Sequence, residues 1–430
     1  MWGRCWPRSP TGRIAGPPPG RRYTCSSTQP ACTCCRATEA GSVRADVVVV
    51  GGGCVGTSAA FYLGRLGAGR VVLAERRRVG SGPTAHTVGI VRLHYSHEPL
   101  VELARRSLER FARFEELTGC RADFTPAGFL LLAPAEELEG LRVNVELQQQ
   151  LGVKAELLTP EEVARLDPRL DLQGVAGAAY EPEAGYADGY ATATGFAAAA
   201  RTLGVEVWED TAVQAVEVAG GRVQGVHTSR GRVDCPRVLV AAGVWTAELL
   251  RPLGVEFPVV ASRQQVVQLA PPAAFGRLEL ILEDLSLGLY ARPEAGGTVL
   301  AGVLEEVPEE VVDPDRYRTA VDWTFVERVG TLWSRRYPGA AQAEFRGGYA
   351  SIYDVTPDWQ PALGPVDDVE GLFVAAGFSG HGFKLSPALG EELARWLCGQ
   401  VPTVDLERFS LRRFREGKLL RGRHGRGLLG

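Results

Sequence analysis

The residues with the clearest chemical meaning sit where an apolar pattern first sets in. Gly51-Gly52-Gly53-Cys54-Val55-Gly56 fits the spacing G-x-G-x-x-G, directly after the valine run Val47 to Val50. Between a strand and a helix each glycine has a task. Gly51 permits a tight turn, Gly53 lets backbone approach a pyrophosphate, and Gly56 allows close strand–helix packing. The first N–H groups of the helix and the positive end of its dipole then face the phosphates. Glu75 ends the next strand-like run, RVVLAE, at the place where a carboxylate accepts hydrogen bonds from a ribose. Gly51, Gly53, Cys54, Val55, Gly56 and Glu75 are therefore read as a dinucleotide site.

Other reactive residue types carry less. The Cys32-Thr33-Cys34-Cys35 cluster lacks a second pair or a histidine at zinc-like spacing, so no metal is expected. Cys54, Cys120, Cys235 and Cys398 are scattered singly, as buried thiols of a reducing compartment are. Only Lys154, Lys384 and Lys418 are lysines among 47 basic residues, so few ammonium groups are available to any site.

To hold a dinucleotide the chain must supply alternating strands and helices, and it does. The apolar period predicts helices over 57–66, 100–117, 136–151, 191–203 and 387–397. Strands are expected over 47–50, 70–75, 205–208, 213–218, 222–226, 233–240 and 372–376, with 124–133 as a strand pair or edge segment. The runs 264–269, 288–292 and 298–303 suggest an antiparallel sheet. Strand-then-glycine designs recur at Gly243 and at Gly377 to Gly382, so a second domain is inserted in pieces rather than appended.

Bulk properties set limits. The chain has 430 residues, 45% hydrophobic and 23% charged, enough for a large two-domain enzyme. A formal net charge of -4 argues against nucleic acid as partner. No apolar run reaches the roughly 20 residues of a membrane span. Residues 1–43 are Arg- and Pro-rich, with no acid before Glu39, and are expected to be a disordered or non-native extension. On that reading the protein is cytoplasmic; a genuine transit peptide would instead send it to an organelle. The basic stretch from Arg412, including the tail 416–430, is expected to fray.

The stretch from Asp46 to Glu75, then Gly80-Ser81-Gly82-Pro83-Thr84-Ala85-His86 and Gly89-Ile90-Val91-Arg92, resembles the glycine/D-amino-acid oxidase superfamily, in its sarcosine oxidase and dimethylglycine dehydrogenase branch. Phe124 to Leu130, Ala241-Ala242-Gly243-Val244-Trp245, Tyr353 to Asp358 and Ala376 to Lys384 extend the resemblance over most of the chain. It implies an α/β fold of the glutathione-reductase-2, sarcosine-oxidase-like type. A Rossmann-like FAD-binding domain (44–123, 185–255 and 357–415) would then surround an inserted mixed β-sheet substrate-binding domain (124–184 and 256–356). The implied FAD contacts add Arg76, Ser81, Thr84, His86, Val213, Ala242, Gly243, Trp245, Gly377, Gly380, His381, Gly382, Phe383 and Lys384 to the glycine motif.

The resemblance also implies catalytic roles. Arg92 and Lys384 match two cations that hold a substrate carboxylate, a guanidinium fork and an ammonium point charge. His381 matches a histidine beside flavin and substrate, and Tyr353 a tyrosine that hydrogen-bonds the substrate. Two departures qualify this. Ser351 stands where monomeric sarcosine oxidases carry a flavin-linked cysteine, so FAD is expected to be non-covalent; His86, at the place of a flavin-linked histidine in related dehydrogenases, is the alternative attachment point. Leu300 stands where the oxidases place a lysine that helps oxygen accept electrons. The implied activity is oxidation of a small amino acid or N-methylated amino acid by hydride transfer to flavin. The electrons would pass to an electron-transfer protein or quinone in preference to oxygen. The alternatives are a subunit of a multi-subunit amine dehydrogenase and an FAD-binding assembly factor without turnover.

Overall fold

The computed structural model describes residues 43–304 and 308–423. The Cys32–Cys35 cluster, the leader before Val43 and residues 424–430 lie outside the described residues.

Val47–Val50 is the centre of a six-stranded sheet. It pairs in parallel with Val71–Ala74 on one side and Val238–Val240 on the other. Glu206–Trp208 and Leu372–Ala376 extend the sheet in parallel, and Ala362–Pro365 closes it antiparallel. Unbroken valine suits a strand covered on both faces. Val47 and Val49 enter the core shared with the helices Cys54–Arg65 and Gly382–Leu397. Val48 and Val50 face the opposite way, onto Val216, Val226 and Val233 of a four-stranded sheet. The two helices pack so closely that a Cβ on Gly390 would lie 2.1 Å from Ser58 Oγ.

A second, eight-stranded sheet runs in the order Glu344–Val355, Val260–Ala270, Val299–Val303, Leu289–Pro293, Ile281–Asp284, Phe129–Ala133, Gly177–Glu181, Glu156–Leu158. The three runs expected to form an antiparallel sheet do so, but the sheet is mixed, because Ile281–Asp284 pairs in parallel with Phe129–Ala133. Phe129–Ala133 is interior rather than an edge, since it pairs with Ile281–Asp284 on one side and Gly177–Glu181 on the other, and its side chains alternate into two separate apolar clusters. The α/β class, with one nucleotide-type parallel sheet and one mixed sheet, is the one the sequence implies.

Several boundaries differ from expectation for local reasons. The helix expected over 100–117 is two, Glu98–Ala112 and Phe114–Thr118, broken where Arg113 leaves helical geometry at φ -117, ψ 27. The run 233–240 splits between Gly231–Asp234 and Val238–Val240, in different sheets. The last long helix begins at Gly382, not at Pro387. Proline normally ends a helix because it cannot serve the carbonyl four residues back. Here Ser386 Oγ donates to that carbonyl, of Phe383, at 2.8 Å, and the helix continues through Leu397. Residues 412–423 are docked rather than frayed, with Arg413 buried against Asp358. No helix among the described residues is long and apolar enough to cross a membrane.

Candidate active site

The glycine motif forms a cradle. Gly51 has φ +108, and a Cβ there would stand 2.4 Å from the Ala241 carbonyl oxygen, so a side chain is excluded twice. The Cys54–Arg65 helix then starts with neither a capping side chain nor an acid in its first turn, leaving its dipole uncompensated on the side where a phosphate would lie. Glu75 stands at the neighbouring strand end, its carboxylate accepting from Gly52 N at 2.7 Å and Arg77 N at 2.8 Å. Thr84 Oγ1 accepts from Cys54 N at 3.2 Å, bringing the 81–86 segment to the same helix start. Ala241 and Ala242, which follow Val240, abut Gly51, and Gly243 comes next, with Val213 in the apolar cluster beneath. Arg76 stacks on the Trp245 ring at 3.9 Å and pairs with Asp315 at 3.0 Å.

A second helix start faces the site from the other end of the chain. The Gly382–Leu397 helix also lacks a capping side chain and an acid in its first turn. Its approach bends through Gly377, Ser379 and Gly380, all with positive φ, of which Ser379 (φ 50) is the strained one. Asp354 holds this bend, accepting from Gly377 N at 2.7 Å, while its backbone carbonyl accepts from Ser379 N at 3.2 Å. Burial pushes the Asp354 carboxyl up to about 6. Two uncapped helix starts, a glycine cradle and the Glu75 carboxylate fit a dinucleotide carrying a pyrophosphate and a ribose. Ser351 Oγ, two residues along the same strand from Tyr353, is buried without a hydrogen-bond partner among the described residues.

Beside these starts lies a pocket lined by Thr87, Val88, Ile90, Glu283, Tyr290, Tyr353, Gly380, Phe383 and Lys384. Tyr353 and Lys384 thus share one cavity. Lys384 makes no ion pair among the described residues, and burial, reinforced by the Arg92 guanidinium, lowers its ammonium to about 7. Arg92 sits behind this wall, fully buried. Its Nε is 3.3 Å from Glu283 Oε1, its Nη1 donates to the His94 carbonyl, and its guanidinium lies 5.0 Å from the Tyr95 ring centre. Burial works against the charge of Arg92, but Glu283, Tyr95 and Glu181 raise its value above the usual one, so it stays charged. The His381 ring is 5.4 Å from Tyr95 and fully buried.

Two carboxylates in this group escaped the sequence reading. Glu283 is buried on the short strand Ile281–Asp284, opposite Tyr290. Glu181 accepts from Leu93 N at 2.8 Å and Gln148 Nε2 at 2.5 Å, and burial pushes it up to about 7. The signal available was a charged residue inside an otherwise apolar run, ILED and GAAYE. Leu300 is buried and apolar, but its cross-strand neighbour Arg292 carries a buried guanidinium, paired with Glu294 at 2.8 Å and donating to the Val88 carbonyl. His86 lies apart from the pocket lining, exposed, with Nδ1 3.2 Å from the Gly82 carbonyl and its ring 5.9 Å from that of Tyr349. Ser81 Oγ donates to the Arg78 carbonyl at 2.7 Å. Cys54 and Cys235 are buried thiols, whereas Cys120 and Cys398 are half-buried.

Known proteins give this geometry a context. The chain is 33% identical over 376 residues to 4-methylaminobutanoate oxidase (formaldehyde-forming) of Paenarthrobacter nicotinovorans, covering 84% of this chain and 45% of that protein. It is 30% identical over 383 residues to mitochondrial sarcosine dehydrogenase of Mus musculus, covering 86% and 41%. The chain therefore spans less than half the length of these curated relatives. The crystal structure of L-proline dehydrogenase from P. horikoshii superposes with a TM-score of 0.80 at 28% identity, over 88% of this chain and all of that one. With the DAO family, described as FAD dependent oxidoreductase, matching residues 46–396, the cradle and both uncapped helix starts fall inside the match, and the chain belongs to that family.

Proposed function

We propose that this chain oxidises a small amino acid at the carbon–nitrogen bond, with a secondary amine such as an N-methyl amino acid or proline preferred. The relatives above are named for sarcosine, 4-methylaminobutanoate and L-proline, each a carboxylate bearing a secondary amine. The observation that carries the reading is Lys384: a buried ammonium without an ion-pair partner among the described residues, at the mouth of the second uncapped helix, facing a cavity it shares with Tyr353. A buried charge of this kind is costly unless a ligand completes it.

In this reading Gly51, Gly53, Gly56 and the Cys54–Arg65 helix start hold the pyrophosphate of FAD, Glu75 its ribose, and the 377–383 segment the far end. Bound FAD supplies the hydride acceptor, so that the amine becomes an imine which water hydrolyses. The chain's own residues bind and orient. Lys384, backed by the charge of Arg92, takes the carboxylate; the Tyr353 hydroxyl donates to the substrate; His381, under the cavity, fixes the approach of the Gly382–Leu397 helix. FAD is held without a covalent bond, since Ser351 offers a hydroxyl in place of a thiolate. Electrons pass to a protein or quinone acceptor in preference to oxygen, because Leu300 places no cation in the site and the charge of Arg292 is balanced by Glu294.

Anaerobic mixing of the yellow holoprotein with sarcosine, L-proline, glycine and 4-methylaminobutanoate tests this. The flavin should bleach with at least one secondary amine, reoxidise slowly in air, and separate fully from acid-precipitated protein. A flavin that none of the four bleaches would favour an assembly factor without turnover, and rapid reoxidation in air would make the protein an oxidase.

A further inference from the structure

Lys384 is not the only incomplete charge in the pocket. Glu283 lines the same cavity, and its side chain is 4% exposed. One oxygen, Oε1, is committed to Arg92 Nε. The other, Oε2, is buried and has no hydrogen-bond partner among the described residues. Asp284, next in the strand, shows what a fulfilled carboxylate looks like here: it pairs with Arg336 at 2.7 Å and accepts from Ser286 N at 2.9 Å. Glu181, the other acid near Arg92, is likewise filled, by Leu93 N and Gln148 Nε2. The large majority of buried side-chain polar atoms are hydrogen-bonded, and among the carboxylates Glu283, Asp284 and Glu181, Oε2 of Glu283 is the oxygen for which the described residues supply no partner.

Ammonium and carboxylate face one cavity without pairing to each other. A ligand that completes both carries an anion for Lys384 and an N–H donor for Glu283 on a short spacer, which is the chemistry of an amino acid. The geometry points to Glu283 as the residue that recognises the substrate's amine, accepting a hydrogen bond from its N–H at Oε2 while Oε1 stays on Arg92. This rests on the amino-acid reading above and adds a specificity determinant to it. Arg92 then acts through Glu283, fixing the rotamer of the carboxylate and balancing its charge, so that the pocket keeps a single uncompensated cation for the substrate carboxylate.

The two halves of the ligand can be tested separately. Acetate carries only the anion, whereas sarcosine carries both groups. In wild-type holoprotein acetate should perturb the flavin spectrum and sarcosine should reduce the flavin with a saturable dependence. Glu283→Gln removes the charge that accepts the amine and frees that of Arg92. The apparent dissociation constant for sarcosine should rise about 10- to 100-fold, the worth of a charge-assisted hydrogen bond. Acetate should bind unchanged or tighter, and Glu283→Asp should recover part of the sarcosine affinity. A purely structural role would weaken both probes in parallel, and that result, or no change in either, overturns the inference while leaving the functional reading intact. If neither probe affects the wild-type flavin, the functional reading falls and the inference with it.

Discussion

Lys384 lines the cavity and Arg92 stands behind it on Glu283, and pH separates the two cations. Burial and the neighbouring guanidinium bring the Lys384 ammonium down to about 7, whereas Arg92 is held above its ordinary value and does not titrate in the working range. An anion binds the protonated lysine, so affinity is full below pH 7 and falls as the proton leaves; binding an anion in turn takes up a proton. With a value near 7, the dissociation constant of a simple carboxylate scales as one plus ten to the power of pH minus 7. It should therefore rise about 10-fold by pH 8 and about 100-fold by pH 9 relative to pH 6. Acetate is the right probe, because it has no amine to titrate, and flavin absorbance reports its binding. Glu181, pushed up to about 7, gains its negative charge over the same interval and acts in the same direction, so the comparison requires variants. Lys384→Arg keeps a cation that does not titrate and should flatten most of the rise; Glu181→Gln should remove only the remainder. A dissociation constant that stays level from pH 6 to pH 9 in the wild type would refute the assignment of the carboxylate to Lys384.

The cradle and the docked C-terminal segment make two further claims. Gly51→Ala forces a Cβ to 2.4 Å from the Ala241 carbonyl oxygen at φ +108; the left-handed backbone alone costs about 1–2 kcal/mol, so the purified variant should show a flavin-to-protein absorbance ratio clearly below that of wild type. Arg413→Met strands the buried Asp358, which Arg413 grips at 2.7 and 2.9 Å. Such a loss costs about 3–5 kcal/mol, visible as a lower denaturant midpoint, and adding Asp358→Asn should restore much of it.

What could be read from sequence follows from how locally each feature is encoded. Strand, glycines, helix, strand and acid lie within some thirty consecutive residues from Asp46, because a parallel pair and its crossover must be short to pack; that unit was legible, down to Glu75. The 376–384 run was legible through resemblance, but not the start of its helix, because Pro387 looks like a boundary until Ser386 is seen to serve the orphaned carbonyl. Glu283 was marked in the sequence only as a charge inside the apolar run ILED, which does not place it at the site. Its strand has four residues and pairs with Phe129–Ala133, far away in the chain, so no local period marks it. Arg292 escaped for the same reason: only the register that sets it across from Leu300 brings a guanidinium to a place where the sequence shows leucine.

The C-terminal segment, expected to fray, instead reaches the rear of both walls of the site. Arg413 and the Leu420 amide (3.1 Å) fix Asp358, four residues beyond the Asp354 that holds the 377–380 bend. Arg423 donates from its backbone to Ser96 Oγ at 2.8 Å and from Nη1 to Asn144 Oδ1 at 3.0 Å, while Asn144 Nδ2 lies 3.1 Å from His94 Nε2. His94 in turn offers its carbonyl to Arg92 Nη1. The arginine that steadies Glu283 is thus itself steadied from a residue more than three hundred positions away. A satisfied chain of directional hydrogen bonds, anchored at its far end, holds the buried guanidinium in place beside the two carboxylates. That makes the C-terminal segment part of what fixes the charge pattern of the pocket: two of its arginines, Arg413 and Arg423, are spent internally, on Asp358, Ser96 and Asn144.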